Sequence, residues 1–434
     1  MNLGNRIIEI LKREVVPAIG CTEPVSVALA CAKARELLNN REVRYIEVLV
    51  SPNIYKNGLA VGVPNTGEVG LDIAGALGFV AGNSKKGLQV LSSIDKKEVE
   101  LAKALLRNDK LLLDLKDTQE KVYVEVIAHG YRGNHSRVII KNKHDEFVYL
   151  ESEGEVIKDV LNIDISRKVE ENNFYNTRIG SIIEEIEKIS YEDLDFLLEG
   201  FNMNEKIATF GLENKSGMGV GYTLYKNIKK GILSDDIMNH AKMLTAAASD
   251  VRMSGVDMPV MSSNGSGNNG LTAILPIVAY QNKFPTSYER LARALAISHI
   301  MNSYVKYYIG RLSALCGCGV AAGVGAGAAL TWLMGGNIVQ IEGSIKNILG
   351  DISGMICDGA KVGCALKLST SASVAVQGAL LAMDNQIIPA GNGIVAETVE
   401  ETIKNLHVLS TEGMKTADGA ILSVMRKSKS MISA

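Results

Sequence analysis

The sequence of 434 residues has few cysteines and no excess of charge of either sign. Six cysteines are too sparse for a disulfide scaffold. Lysine and arginine together number 46 and aspartate and glutamate 48, a formal net charge of −2, and no basic run stands out, so we expect no nucleic-acid partner. At 47% hydrophobic and 22% charged residues, the composition excludes global disorder and supplies a sizeable core.

The amino-terminal segment lacks the uncharged stretch of a signal peptide, because charged residues interrupt MNLGNRIIEILKREVV. We therefore expect a cytoplasmic protein with reduced thiols. The stretch 312–341 carries no charge in 30 positions and is long enough to cross a membrane. Its many glycines lower its hydrophobicity, so we favour a buried helix over a membrane span and expect no membrane partner.

Hydrophobic periodicity divides the chain into three parts, and its length favours two or three domains. The amino-terminal part is helical, with Thr22 as the predicted cap of its second helix. A mixed α/β part follows to about residue 165, and the chain after 170 is mostly helical. Strands are predicted at 44–50, 88–94, 122–128, 136–141 and 147–151. Helices are predicted at 5–16, 22–38, 68–82, 96–106, 178–189, 191–203, 222–230, 235–248, 270–281, 288–312, 314–333, 343–352, 372–383 and 396–408.

The cysteines supply the first candidate site. Cys21, Cys316 and Cys357 lie at segment ends where glycines are close by, whereas Cys31 and Cys364 are interpreted as core thiols, the usual state of a free cysteine. No CxxC pair is present, which disfavours a zinc ribbon. Thiolates from distant segments could still hold an iron–sulfur cluster, and a cluster with three protein ligands would leave one iron open as a Lewis acid.

Two polar segments are candidate anion sites. The loop PVMSSNGSGNNG precedes an apolar helix and is uncharged, so its free N–H groups could bind a carboxylate or phosphate; the alternative is an ordinary polar loop. The segment SPNIYKNG follows a predicted strand, and its Lys56 could pair with a carboxylate; the alternative is a surface turn.

Acid–base candidates lie beside the cysteines and the polar loop. Glu23, Asp358 and Lys361 are near the cysteines in sequence, and Arg311 opens the uncharged run. Each of these residues alone is more often part of a structural ion pair. No G-x-S-x-G nucleophile motif is present.

Five segments together carry a family resemblance. The chain resembles the L-cysteine desulfidase family, which is related to the iron–sulfur L-serine dehydratases through their alpha-chain domain. The segments that carry this resemblance are AIGCTEPVSVALA, SPNIYKNGLAVGVPNTG, MSSNGSGNNGL, GRLSALCGCGVAAGVGAGAA and SGMICDGAKVGCALKLSTSAS.

The resemblance implies a [4Fe–4S] cluster held by Cys21, Cys357 and Cys316, with Cys318 as the alternative to Cys316. It also implies α,β-elimination of L-cysteine to pyruvate, ammonia and sulfide without pyridoxal phosphate. The candidate bases under this resemblance are, in order, Lys361, Asp358 and Glu23. The candidate substrate-binding residues are Lys56, Ser263, Asn264, Ser266, Asn268 and Arg311.

These implications define the expected architecture and its alternatives. The fold class is expected to be α+β. Residues 1–40 would join 170–434 in a helical cluster-binding domain with buried Gly/Ala-rich helices, because all three ligands must meet, and 41–169 would form an α/β domain. An L-serine or related hydroxy amino acid dehydratase, and a non-catalytic cluster- or ligand-binding protein, are the alternative functions. The expected partner is a small amino acid, and a homodimer is also considered.

Overall fold

A computed structural model describes residues 2–38, 42–63, 66–161, 174–310 and 312–432. It combines a mixed six-stranded sheet with a large helical part, so the predicted α+β class is confirmed. The strands are β1 Pro17–Ala18, β2 Val43–Val50, β3 Leu111–Leu115, β4 Tyr123–Gly130, β5 His135–Lys141, β6 Phe147–Ser152, β7 Glu155–Asp159 and β8 Val260–Met261.

The large sheet has the order β3-β2-β4-β5-β6-β7, in which β2 and β3 are parallel and the other neighbours antiparallel. The sequence did not predict β3 or β7; every residue of β7 is exposed, so it has no buried face to produce an alternating pattern. The predicted strand at 88–94 is wrong. A 3-10 helix at Ser84–Gln89 ends within this stretch and turn residues 90–93 follow it, so no extended segment forms; Gly87, just before the stretch, has a φ of +54°.

Helices account for most of the remaining chain. They are α1 Leu3–Glu14, α2 Thr22–Leu37, α3 Pro52–Gly58, α4 Leu71–Ala81, α5 Lys96–Arg107, α6 Ile179–Lys188, α7 Leu197–Glu213, α8 Val220–Lys229, α9 Ile237–Met253, α10 Gly267–Lys283, α11 Tyr288–Ile309, α12 Val320–Leu333, α13 Ile338–Ile352, α14 Cys364–Met383, α15 Val399–Val408 and α16 Ala417–Ile432.

Two helix starts differ from the sequence prediction. Cys21, not Thr22, occupies the cap position of α2, and the Thr22 hydroxyl instead donates to Glu23 and to the carbonyl of Gly265. The segment SPNIYKNG, for which a surface turn was the alternative to an anion site, contains α3, which Ser51 caps by accepting a hydrogen bond from the N–H of Ile54. Serine followed by proline is a typical helix start, because proline lacks the N–H that the first turn leaves unbonded.

The apolar side chains form two main cores. One contains α1 and the helices after residue 174, and the other contains α2, α4 and the inner faces of β2, β4 and β5. Helix α2 therefore packs on the sheet while α1 packs on the helical part, and β1 connects them by pairing with β8. The division into 1–40 with 170–434 and 41–169 stays a prediction.

Close approach between helices explains much of the glycine content. Every residue of α12 is buried. A Cβ on Gly325 would lie 2.2 Å from the carbonyl oxygen of Ser298 in α11, and one on Gly327 would lie 2.2 Å from Cδ1 of Ile348 in α13. Among the described residues, one helix, α14, is long and apolar enough to cross a membrane, but 56% of that apolar stretch is buried, as in the core helix of a soluble protein.

We expect Gly325→Ala to lower the free energy of unfolding by about 1–3 kcal/mol, because the added methyl group forces α11 and α12 apart. Gly354→Ala is the control, since a Cβ there meets no atom within 4 Å. Urea unfolding followed by circular dichroism measures both changes. Equal stability of the two variants would show that the helix contact tolerates a methyl group.

Candidate functional site

A cavity between the two cores collects residues from both parts of the chain. Five of the six cysteines line it, namely Cys21, Cys316, Cys318, Cys357 and Cys364. Cys31 is fully buried in the core around the sheet, as predicted for a core thiol. Cys364, interpreted from the sequence as a second core thiol, instead faces the cavity as the first residue of α14.

Backbone pairing places Cys316 beside Cys357. The N–H of Cys316 donates to the carbonyl of Met355 (2.8 Å), and the N–H of Cys357 donates to the carbonyl of Ala314 (2.7 Å). Leu315 therefore pairs with Ile356 in a short antiparallel bridge. The two cysteines are diagonal neighbours on one face, and such residues lie roughly 7–8 Å apart.

The other cavity cysteines lie at helix amino termini. Cys21 caps α2, Cys364 begins α14, and Cys318 immediately precedes Gly319, the cap of α12. Free N–H groups and the helix dipole at these positions stabilise negative charge on sulfur. The sulfur of Cys318 also lies 3.3 Å from the hydroxyl of Ser266, the cap of α10.

Burial opposes ionisation of these thiols. It raises the pKa of Cys21 to about 12, although the Arg252 guanidinium pulls in the opposite direction, and it raises the pKa of Cys318 to about 11. Burial likewise raises the pKa of Cys316 and Cys364. A metal must therefore displace protons when these sulfurs become ligands.

The donor set is chemically compatible with an iron–sulfur cluster, because it consists of soft sulfur atoms from separate segments. Within the described chain, no group of three or more His, Cys, Asp or Glu side chains is arranged around one metal position. A cubane distributes its protein ligands over different irons, so its sulfur ligands are more widely spaced than those of one ion. Soft sulfur donors from separate segments, with Cys316 and Cys357 diagonal to each other, match that requirement.

The polar loop is fixed against the amino-terminal segment. Strand β8 pairs with β1, and the N–H and hydroxyl of Ser262 both donate to the carbonyl of Val16. The N–H of Asn264 donates to the carbonyl of Glu14. The loop then runs into α10, and its cavity-lining members are Asn264, Gly265, Ser266 and Asn268.

Ser263 is directed into a buried hydrogen-bond network behind the loop. Its hydroxyl accepts from the side-chain amide of Asn302 (2.9 Å) and lies 3.0 Å from Nδ1 of His299. It does not line the cavity. Its role as a substrate ligand stays a prediction.

Two charged side chains line the cavity with neutral hydrogen-bond partners. Arg252 donates from Nη1 to Asn268 (3.1 Å) and from Nη2 to the carbonyl of Gly20 (2.9 Å). Gly20 has a φ of +71°, a conformation that the backbone adopts in the turn before Cys21 and that glycine accommodates without strain. Glu23 accepts from Asn57 (3.0 Å) and Thr22 (3.1 Å).

Three further predicted residues, Lys56, Asp358 and Lys361, lie outside the cavity lining. Lys56 is buried, and its Nζ contacts Asp418 (2.5 Å) and the carbonyl of Cys357 (2.9 Å). Asp358 pairs with both Lys361 and Lys367. Burial opposes the ionisation of Asp358, but hydrogen bonds from these two lysines lower its pKa to about 2. Their functional roles stay predictions.

Arg311 lies outside the described residues. Sequence reasoning did not select Asn57, Lys306 or His144, which line the cavity from α3, from α11 and from the connection between β5 and β6. The Ser-Pro helix start could have placed Asn57 on a helix, whereas no local pattern distinguishes His144.

The chain is similar to known proteins over nearly its whole length. The serine dehydratase alpha chain family matches residues 85–423. The UPF0597 protein of Alkaliphilus oremlandii is 59% identical over 98% of this chain and 99% of its own length. The UPF0597 protein of Clostridioides difficile is 53% identical over 96% and 98%, respectively. The family match contains four of the cavity cysteines and leaves out Cys21.

The buried His299 makes stability depend on pH. Burial lowers its pKa from 6.5 to about 3, so between these values the unfolded chain binds a proton that the folded chain does not. The stability that this residue contributes to the folded state is therefore fully present above pH 6.5 and is lost as the pH falls toward 3. We expect the free energy of unfolding to drop by about 2 kcal/mol between pH 7 and pH 5 from this residue.

Urea unfolding at the two pH values, with His299→Gln, checks this expectation. The variant should lose most of that pH-dependent difference. His240→Gln, a change at a partly exposed histidine, is the control and should keep it. An unchanged slope in His299→Gln would contradict the assignment.

Proposed function

The chain belongs to the serine dehydratase alpha chain family, and from this premise we propose that it is an iron–sulfur lyase acting on L-cysteine. The reaction is α,β-elimination, in which the α-proton and the β-sulfur leave and the aminoacrylate product takes up water. One L-cysteine and one water give pyruvate, ammonia and hydrogen sulfide. L-Serine, which would lose water instead, is the second candidate because the family name specifies it.

The meeting of five cysteines in one cavity is the observation that supports this proposal. Cys21, Cys316 and Cys357 would hold a [4Fe–4S] cluster, with Cys318 as the alternative to Cys316. When bound through three cysteines, such a cluster supplies an open iron that acts as a Lewis acid on the leaving group.

The chain's own groups would bind and orient the substrate. The amino terminus of α10, with Asn264, Ser266 and Asn268, presents N–H and side-chain donors suited to a carboxylate. Of the three candidate bases, Glu23 alone lines the cavity, and it is therefore the carboxylate that can reach a bound substrate. Asp358 and Lys361 neutralise each other through their ion pair.

Anaerobic reconstitution tests the function. We expect the protein to take up iron and labile sulfide and then to release pyruvate with an equal amount of sulfide from L-cysteine. Parallel assays with L-serine, measuring pyruvate and ammonia, determine which substrate is preferred. Absence of iron uptake, or of pyruvate from both amino acids, would contradict an iron–sulfur lyase and favour a non-catalytic binding protein.

Single serine substitutions test the ligand set. Cys21→Ser, Cys316→Ser and Cys357→Ser should each lose most of the bound iron and lower activity by more than roughly 100-fold, since loss of outer-sphere partners alone costs about 10–100-fold. Cys31→Ser is the matched control, because Cys31 lies in α2 away from the cavity. Iron loss in Cys318→Ser with iron retained in Cys316→Ser would transfer the ligand role to Cys318.

A further inference from the structure

Two opposite charges are buried at the cavity, and neither has an ionic partner among the described residues. Arg252 is 4% exposed and Glu23 is 8% exposed. Within the part of the chain that the structure describes, the partners of Arg252 are an amide oxygen and a carbonyl, and those of Glu23 are an amide and a hydroxyl. Buried charges in proteins are normally paired, because removing an ion from water is costly.

Unsatisfied hydrogen-bonding atoms accompany both charges. In the described part of the chain, Nε of Arg252 is a buried donor without a partner, and Oδ1 of Asn57, whose amide group donates to Glu23, is a buried acceptor without a partner. Such orphaned atoms are rare in folded proteins and call for an explanation. The unused donor beside the positive charge suits an anionic ligand group, and the unused acceptor beside the negative charge suits a cationic one.

The positive charge lies at a helix amino terminus. A Cβ on Gly267 would be 2.3 Å from Nε and 2.7 Å from Cζ of Arg252, so the guanidinium rests against the first turn of α10 only because residue 267 is glycine. The guanidinium and the helix dipole therefore attract an anion to the same place.

Glu23 and Arg252 both lie near Cys21. Arg252 donates to the carbonyl of Gly20, the residue before Cys21, and Glu23 lies in the first turn of the helix that Cys21 caps. All three residues line the same cavity. A ligand that spans the two charges would consequently lie beside Cys21.

We propose that Arg252 and Glu23 are the two poles of a binding site for the zwitterion of a small α-amino acid. Arg252 and the first turn of α10 take the carboxylate, and Glu23 with Oδ1 of Asn57 takes the ammonium group. The proposal rests on the proposed function and deepens it, because it explains selection of an α-amino acid over a hydroxy acid or a simple amine. Arg252 and Glu23 act here in substrate binding.

The test uses ligands that cannot undergo elimination. L-Alanine carries both charged groups and no leaving group, L-lactate replaces the ammonium by a hydroxyl, and ethylamine lacks the carboxylate. Dissociation constants are measured on the reconstituted protein by ligand-observed NMR. We expect the unaltered protein to bind L-alanine at least tenfold more tightly than either of the other two.

Ligand-specific losses identify the poles. Glu23→Gln should weaken L-alanine at least tenfold and leave L-lactate within twofold, whereas Arg252→Met should weaken L-alanine at least tenfold and leave ethylamine within twofold. Arg252→Lys keeps the charge without the planar fork and should show a smaller loss, which covers the case in which Arg252→Met does not fold. Glu125→Gln alters a buried carboxylate that pairs with Lys116 and Arg137 on the sheet, and it should leave the preference unchanged.

The outcomes separate this inference from the lyase proposal. Failure to bind L-alanine, equal binding of L-alanine and L-lactate, or an equal loss of both in Glu23→Gln overturns the zwitterion site. If Arg252→Met weakens ethylamine as much as L-alanine, Arg252 acts on the cluster or the fold and the carboxylate pole is overturned. Selective binding without pyruvate formation overturns the lyase proposal and supports the site, whereas pyruvate formation with unselective binding does the reverse.

Discussion

The short antiparallel bridge between residues 314–316 and 355–357 is the constraint on which the cavity depends. Two backbone hydrogen bonds fix Cys316 and Cys357 relative to each other before any metal arrives. The second segment is in turn held against α3, because Nζ of Lys56 donates to the carbonyl of Cys357. A Cβ on Gly359 would lie 2.3 Å from the carbonyl oxygen of Lys56, and the φ of +91° at this glycine suits the same close contact. Through the hydrogen bond from Lys56, the segment 355–357 connects the helical part to the α/β part at the position of Cys357, a proposed ligand.

Helix amino termini set the electrostatic character of this site. Four of them, from α2, α10, α12 and α14, lie around the cavity, with Cys21, Ser266, Gly319 and Cys364 at or next to their first turns. Burial raises the pKa of Cys21 and Cys318 and so opposes their ionisation without a metal, whereas the helix dipoles and Arg252 favour negative charge once a metal displaces the protons. The same helix termini that would stabilise thiolate ligands therefore also favour an anionic group of a bound ligand.

Much of the fold could be predicted from the sequence because its signals are local. The alternation in β2 and the helical periods after residue 174 depend on residues a few positions apart. The partner of α2 could not be predicted, since this helix is apolar on nearly all sides and its sequence does not favour the sheet over the helical part. The short α3 was missed because seven residues show too little periodicity.

For the site, too, the features that depend on local sequence could be predicted, and those that depend on contacts between distant residues could not. The cysteine motifs marked candidate ligands, and the structure places all of these thiols on one cavity. The partners of Lys56 could not be predicted, because Asp418, with which its ammonium group pairs, lies 362 positions away in sequence. The roles of Glu23 and Arg252 are equally hidden, for each is an ordinary charged residue until the fold shows that its neighbours are neutral. What distinguishes a binding charge from a structural one here is that, among the described residues, it hydrogen-bonds to neutral groups and forms no ion pair, and only the three-dimensional arrangement contains that information.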